Sequence, residues 1–251
     1  MKNYKLVVLF AQYGNEQYPD AHKDLDNFLK DINCSKQKII IDNKTACDYD
    51  YVFPNGNIYI QGDNSAWEFS AWDKGLKYVK DLNVEYDAIL FVNSSFMNSR
   101  IKGIGGNPKT VINNESIRLC IEDNKAIFPW LTTGDKYFKL DNNDVSSWYR
   151  TNCFLLNKNH INVLQFIQTY DIIYLDKFIN KEISDNYFKA DAPMNKILKD
   201  FIIWRLTESW HNPIDIKESW SLFKMKTLGY FNEFGLTARL RNCKINVISE
   251  Q

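Results

Sequence analysis

The stretch from Ile58 to Ser95, IYIQGDNSAWEFSAWDKGLKYVKDLNVEYDAILFVNSS, constrains this chain more than any other. A short apolar strand, Ile58 to Ile60, runs into the polar turn Gly62-Asp63-Asn64-Ser65. The periodicity predicts a helix from about Ala66 to Asp81. A strand follows from Asp87 to Val92 and ends in Asn93-Ser94-Ser95. Strand, turn, helix and strand in that order form a parallel α/β unit.

The predicted helix carries its own start signal. Ser65 and Glu68 match a capping box, in which a hydroxyl and a carboxylate three positions apart satisfy free backbone N–H groups. Phe69, Trp72, Leu76 and Val79 recur at helical spacing and make one apolar face. Gly75 lowers helix stability, so its use here implies close approach of backbone to the sheet. Asp73 and Lys77 stand four apart and predict an ion pair. In open parallel sheets, ligands bind outside the carboxyl ends of the strands. Two such ends fall at Gly62–Ser65 and Asn93–Ser95, both rich in small hydrogen-bonding residues.

The chain before this stretch repeats the pattern. Lys5 to Ala11 is a continuous apolar run, as in the centre of a parallel sheet. It ends in Gln12-Tyr13-Gly14-Asn15. Asp20 is the expected cap of a helix reaching about Ile32, with Leu25, Phe28, Leu29 and Ile32 on one face. Lys38 to Ile41 is the second strand, ending in Asp42-Asn43. A right-handed βαβ crossover brings Ala11–Tyr13 and Asp42 together at the carboxyl edge.

After Ser95 the pattern loosens. Residues 96–110 form a Gly-containing loop with Arg100 and Lys102. YRTNCFLL, Tyr149 to Leu156, reads as one strand, and Asn157 or Asn159 caps a helix running to about Tyr170. Asp191-Ala192-Pro193 starts another helix, with Pro near its first position. From Ser219 to Asn242, aromatic and basic residues alternate: Trp220, Phe223, Lys224, Lys226, Tyr230, Phe231, Arg239 and Arg241. Two readings stand for that segment. It packs as an amphipathic helix with a solvated basic face, or it rests on a membrane surface.

Of the 251 residues, 45% are hydrophobic, enough for the core of one α/β domain. The 31 basic and 31 acidic side chains balance, so no global field draws nucleic acid. Five cysteines without a CxxC pair, and no secretory signal, read as free thiols in the cytosol. Three histidines lack metal-ligand spacing. No Gly-x-Ser-x-Gly elbow and no Walker loop occurs, which argues against a serine hydrolase and a P-loop enzyme.

The segments NSAWEFSAWDKGL, from Asn64, and YDAILFVNSSF, ending at Phe96, resemble bacterial surface-polysaccharide glycosyltransferases of the rhamnan-synthesis-F type and relatives. The resemblance implies an α/β, GT-A-like fold: a mostly parallel, Rossmann-like central sheet flanked by helices, with a helical C-terminal part. It implies one domain, with about residues 1–110 as the nucleotide-sugar half and 111–251 as the acceptor side. The implied reaction moves a sugar from a nucleotide-sugar donor to a glycan or lipid-linked acceptor in lipopolysaccharide, O-antigen or capsule synthesis. The location is then the cytoplasm or the inner face of its membrane. A non-catalytic glycan-binding or scaffolding relative is the rival reading.

By the same resemblance, Ala11, Gln12 and Asp42 contact base and ribose. Asp42 has an equal alternative as a turn residue at a strand end. Asp63, Asn64, Asn93, Ser94 and Ser95 bind the donor, and Arg100 in the following loop either neutralises its diphosphate or is a solvated loop charge. Asp73 takes sugar hydroxyls and joins Glu68 as a catalytic carboxylate, although the capping box alone explains Glu68. Asp141, Asp144 and Arg150 lie on the acceptor side, and Asp141, Asp144 and Glu233 are either candidates for general base or plain loop and surface acids. Related enzymes hold Mn²⁺ or Mg²⁺ with an Asp-x-Asp motif, because hard cations take carboxylate oxygens. This chain has Asn93-Ser94-Ser95 there, which leaves metal dependence open. Asp63 is an alternative ligand.

Overall fold

The computed structural model describes residues 3–13, 18–44, 51–52, 56–97, 107–134, 136–180, 187–209 and 213–250. Its strands are β1 (Lys5–Gln12), β2 (Ser35–Asp42), β3 (Tyr51–Val52), β4 (Ile58–Gln61), β5 (Ala88–Asn93), β6 (Lys125–Thr133), β7 (Lys139–Leu140), β8 (Asn143–Asp144), β9 (Ser147–Tyr149), β10 (Cys153–Asn157) and β11 (Asn246–Glu250). Its helices are α1 (Ala21–Leu29), α2 (Glu68–Asp81), α3 (Pro108–Val111), α4 (Asn114–Glu122), α5 (Lys158–Leu164), α6 (Ile172–Asp176), α7 (Lys196–Trp204) and α8 (Trp220–Asn242). A π-helical turn, Arg205–Ser209, extends α7.

The main sheet has the order β11-β6-β10-β5-β1-β2-β4-β3, with β9 added beside β6. Strands β4, β2, β1 and β5 are mutually parallel. β10 runs antiparallel between β5 and β6. The protein is therefore α/β with a mostly parallel, Rossmann-like mixed sheet. From β1 the chain builds outward to β2 and β4, then returns to place β5 on the other side of β1. Strand order reverses between β1 and β5, the switch point at which such sheets open a crevice at their carboxyl edge.

The alternation of β1 sorts the core into two layers. Val7 and Leu9 face α2 and the C-terminal helices, and Leu6, Val8 and Phe10 face α1 and α4. Trp72 of α2 is fully buried, donates its indole N–H to Val92 O at 3.3 Å, and meets Phe69, Phe91 and Phe154 edge to face. Phe91, Phe154 and Phe128 stack in a row across β5, β10 and β6, with centroids 4.6 and 4.7 Å apart. Each such ring contributes roughly 2–3 kcal/mol by burial. A Cβ on Gly75 would come 3.0 Å from Leu9 Cδ2, so the glycine allows α2 to lie close on β1 as expected.

Several local expectations are corrected. α2 starts at Glu68 after Trp67, whose backbone has φ 54° and ψ −130°, and no side chain caps it. Ser65 turns back to Asp63 instead, so Glu68 is released from the capping box. The Asp73–Lys77 pair is absent, because Lys77 reaches Asp81 and Asp73 is used elsewhere. The Tyr149–Leu156 strand is two strands, β9 and β10, interrupted at Arg150–Asn152. Asn157 caps α5 as expected, but α5 ends at Leu164 because Gln165 takes φ 64°. α7 begins after Asn195, not at Pro193, with Asn195 Oδ1 accepting from Leu198 N.

α8 is a core helix. Phe223, Phe231 and Phe234 are fully buried, as are the polar Thr227, Asn232 and Thr237. Asn232 holds the 165–170 segment by accepting from Thr169 N at 2.7 Å and Tyr170 N at 2.8 Å. The aromatic residues that suggested a membrane-resting surface thus point largely inward. No helix among the described residues is long and apolar enough to cross a membrane.

Candidate functional site

The carboxyl edge at the switch point gathers the ends of β1 and β5, the turn before α2, the break between β9 and β10, and the middle of α8. Register sets the first contacts. Gln12 pairs with Asp42 and Ala11 with Asn93. Gln12 Nε2 donates to Asp42 Oδ2 at 3.3 Å, while Gln12 Oε1 meets His22 Nε2 at 2.5 Å. Burial lowers the proton affinity of His22, consistent with a neutral imidazole donating to Gln12. Asp42 also accepts from Lys44 N at 2.9 Å, the turn role weighed for it.

Asn93, Ser94 and Ser95 form a closed hydrogen-bond set. Ser94 Oγ accepts from Tyr13 N at 2.8 Å and donates to Ala11 O at 3.3 Å, which ties β1 to β5 across the switch point. Asn93 Oδ1 accepts from Ser95 N at 3.1 Å and from Ser95 Oγ at 2.9 Å. Ser95 Oγ also accepts from Asn152 Nδ2 at 3.1 Å, and Asn93 N donates to Asn152 O at 3.0 Å. The β9–β10 break therefore delivers Thr151 and Asn152 to the same edge.

Two carboxylates meet this edge. Glu68, the first residue of α2, accepts from Asn93 Nδ2 at 3.3 Å. Burial pushes its carboxyl up to about 7, against its own backbone N–H, and the charge of Glu233 adds to the rise. Glu233 of α8 accepts from Thr151 N at 3.2 Å and Thr151 Oγ1 at 3.0 Å. Burial raises it too, opposed by Arg150 and Thr151. Arg150 donates its Nε–H to Thr132 Oγ1 at 2.8 Å. Arg205 of the π-helical turn lies 3.3 Å from the Tyr230 hydroxyl, one turn of α8 before Glu233.

The rim adds a cation and rings. Lys226 of α8 places its ammonium 5.3 Å from the Trp67 ring centroid. Burial lowers it to about 8, with Glu68 pulling the other way. Trp67 and Tyr13 lie 6.2 Å apart, and Tyr13 is 39% exposed. The left-handed backbone of Trp67 is strained for a bulky residue. Its carbonyl is held by Asn43 Nδ2 at 2.9 Å and Ser70 Oγ at 3.1 Å. Asn64 is also left-handed, and its Oδ1 is buried without a partner among the described residues.

The expected site residues thus divide. Ala11, Gln12, Asp42, Glu68, Asn93, Ser94, Ser95, Arg150 and Glu233 gather at the carboxyl edge, with Asp63 and Asn64 in the turn that leads to it. Asp63 accepts from Ser65 N and Oγ, both at 2.9 Å; burial pushes its carboxyl up, and those bonds together with Ser70 and the charge of Lys74 hold it below the usual range. Asp73 lies apart. Its two oxygens accept from Ile167 N at 2.5 Å and Gln168 N at 3.0 Å, so it fixes the segment after α5. Asp141 takes the hydroxyls of Tyr170 and Tyr174 at 2.6–2.7 Å. Asp144 accepts from Ser146 N at 2.9 Å at the surface. Arg100 and Lys102 lie outside the described residues.

Lys226, Trp67, Thr151 and Asn152 were not among the expected site residues. Spacing offered one clue: Lys226, Tyr230 and Glu233 share one stripe of a helix. A shallow open recess of about 750 Å³ lies at the opposite, amino end of the sheet, lined by Asp26, Lys30, Lys36 and Lys38. Its solvated charges and distance from the switch point set it aside. Comparisons with protein-family models and with curated proteins returned no match to this chain.

Proposed function

We propose that this chain is a glycosyltransferase, moving a sugar from a nucleotide-sugar donor to a hydroxyl of a glycan or lipid-linked acceptor in bacterial surface-polysaccharide synthesis. One observation carries the reading. Two carboxylates held above their usual proton affinity, Glu68 and Glu233, converge with amides, hydroxyls and a lysine at the switch-point crevice. Perturbed acids in such a crevice suit proton transfer.

In this reading Glu68 is the general base. Its carboxyl, near 7, matches the task of taking a proton from an acceptor hydroxyl at neutral pH. Asn93 orients it, and Tyr13 and Trp67 offer ring faces to the base or sugar. Asp42, Gln12 and the 63–64 turn line the path of the nucleotide.

The test is release of nucleoside diphosphate from a panel of nucleotide-sugars, with acceptor glycans present. The reading expects turnover with one nucleotide class and a loss of about 10²–10⁴ in Glu68→Gln, the span of general-base catalysis. Glycan binding without turnover of any donor would favour the non-catalytic relative.

A further inference from the structure

Resting on the transferase reading, we infer that the chain neutralises the donor diphosphate with the Lys226 ammonium and uses no divalent cation to do so. The residues standing where the resemblance places a metal do not fit one. A hard cation takes several oxygen ligands, preferably carboxylates. Asn93 Oδ1 already accepts two hydrogen bonds, from Ser95 N and Ser95 Oγ. Ser94 Oγ is committed to Tyr13 N and Ala11 O, and Ser95 Oγ to Asn93 and Asn152. Asp63, the alternative ligand, has Oδ1 taken by Ser65 N and Ser65 Oγ, which leaves one carboxylate oxygen there and no second carboxylate placed beside it to complete a three-residue ligand group among the described residues. Among the described residues no group of three His, Cys, Asp or Glu side chains is placed to hold a metal ion.

What the site offers instead is positive charge on a rigid element. Lys226 stands next to the fully buried Thr227 and one turn after the fully buried Phe223, so the helix beneath it is fixed. Its ammonium lies over the Trp67 ring and within the field of Glu68, whose carboxylate is bonded to Asn93 at the end of β5. Arg150 and Arg205 sit around Glu233 and Tyr230 on the same stripe of α8. An ammonium in a partly desolvated crevice stabilises phosphate oxygens more strongly than one in water.

Calorimetric titration of UDP, GDP, dTDP and ADP into the full chain, in EDTA and then with Mn²⁺, tests this. At least one nucleotide is expected to bind in EDTA with an affinity that Mn²⁺ leaves unchanged. Lys226→Met should weaken it about ten- to a hundredfold, the worth of a hydrogen bond to a charged group, while Lys226→Arg keeps most of it. Binding that appears only with Mn²⁺, or is unchanged in Lys226→Met, overturns the inference and leaves the transferase reading standing. No binding in either arm overturns both. Should Lys226→Met misfold by circular dichroism, the EDTA arm and Lys226→Arg still decide.

Discussion

Glu68 ties stability to pH in a way that its neighbours make testable. Folding raises its carboxyl from 4.5 to about 7. The folded chain then binds more protons than the unfolded chain across that window, so stability falls as pH rises through it. Glu68→Gln removes the ionisation. The variant is expected to melt with the wild type at pH 5 and above it at pH 8, by the equivalent of on the order of 3 kcal/mol. A melting temperature lowered equally at both pH values would contradict the burial of a charge-prone carboxyl here. A variant more stable yet inactive is the usual mark of a site held against its own stability. The sequence made Glu68 visible through the Ser65-x-x-Glu68 pattern at a helix start, and Asn93 through the polar run that ends β5. It misread the reason, since the capping box requires a cap that Trp67, with its left-handed backbone, does not give. Lys226 stood out only as one basic residue of a long aromatic helix, because its shared stripe with Glu233 does not say which side of the helix meets the carboxyl edge.

At the scale of elements, α2 does two separate jobs. Its first residue bonds Asn93 at the carboxyl edge, and Asp73, in its second turn, secures the segment after α5 by two backbone N–H groups. Arg239 of α8 binds the same segment through Leu164 O and Phe166 O. Asp73→Ala leaves both N–H groups unpaired. It is expected to lower stability by about 2–4 kcal/mol, measured by urea denaturation, with turnover per folded molecule unchanged. A collapse of turnover at full stability would return Asp73 to the donor site. β1, α1, β2, β4, α2 and β5 were legible, because apolar runs and a 3.6 period persist through them. Residues 111–251 were read less well. The strand from Tyr149 splits at Arg150–Asn152 to supply Thr151 and Asn152, and α5 stops at Gln165, both set by partners distant in sequence.

The whole molecule shares its larger core layer from end to end. Val7 and Leu9 of β1 belong to one buried cluster with Phe231, Leu236 and Leu240 of α8. β11 then closes the sheet beside β6. Such continuity predicts one cooperative unfolding transition, with tryptophan fluorescence and far-UV circular dichroism coinciding in urea. Two separated transitions would mean that the halves split by sequence also fold apart. The α/β class and the parallel centre of the sheet could be read from the chain. The antiparallel β10 could not, since strand direction in the sheet follows from connections rather than composition.

The central claim is that ligand binds at the switch point between β1 and β5. Hydrogen–deuterium exchange with and without a saturating nucleoside diphosphate reads this most directly, because a bound ligand slows opening of the backbone that it holds. The account expects slowed exchange at residues 62–70, 93–97 and 149–152, with residues 141–144 unchanged. Protection confined to residues 26–38, at the opposite end of the sheet, would contradict it.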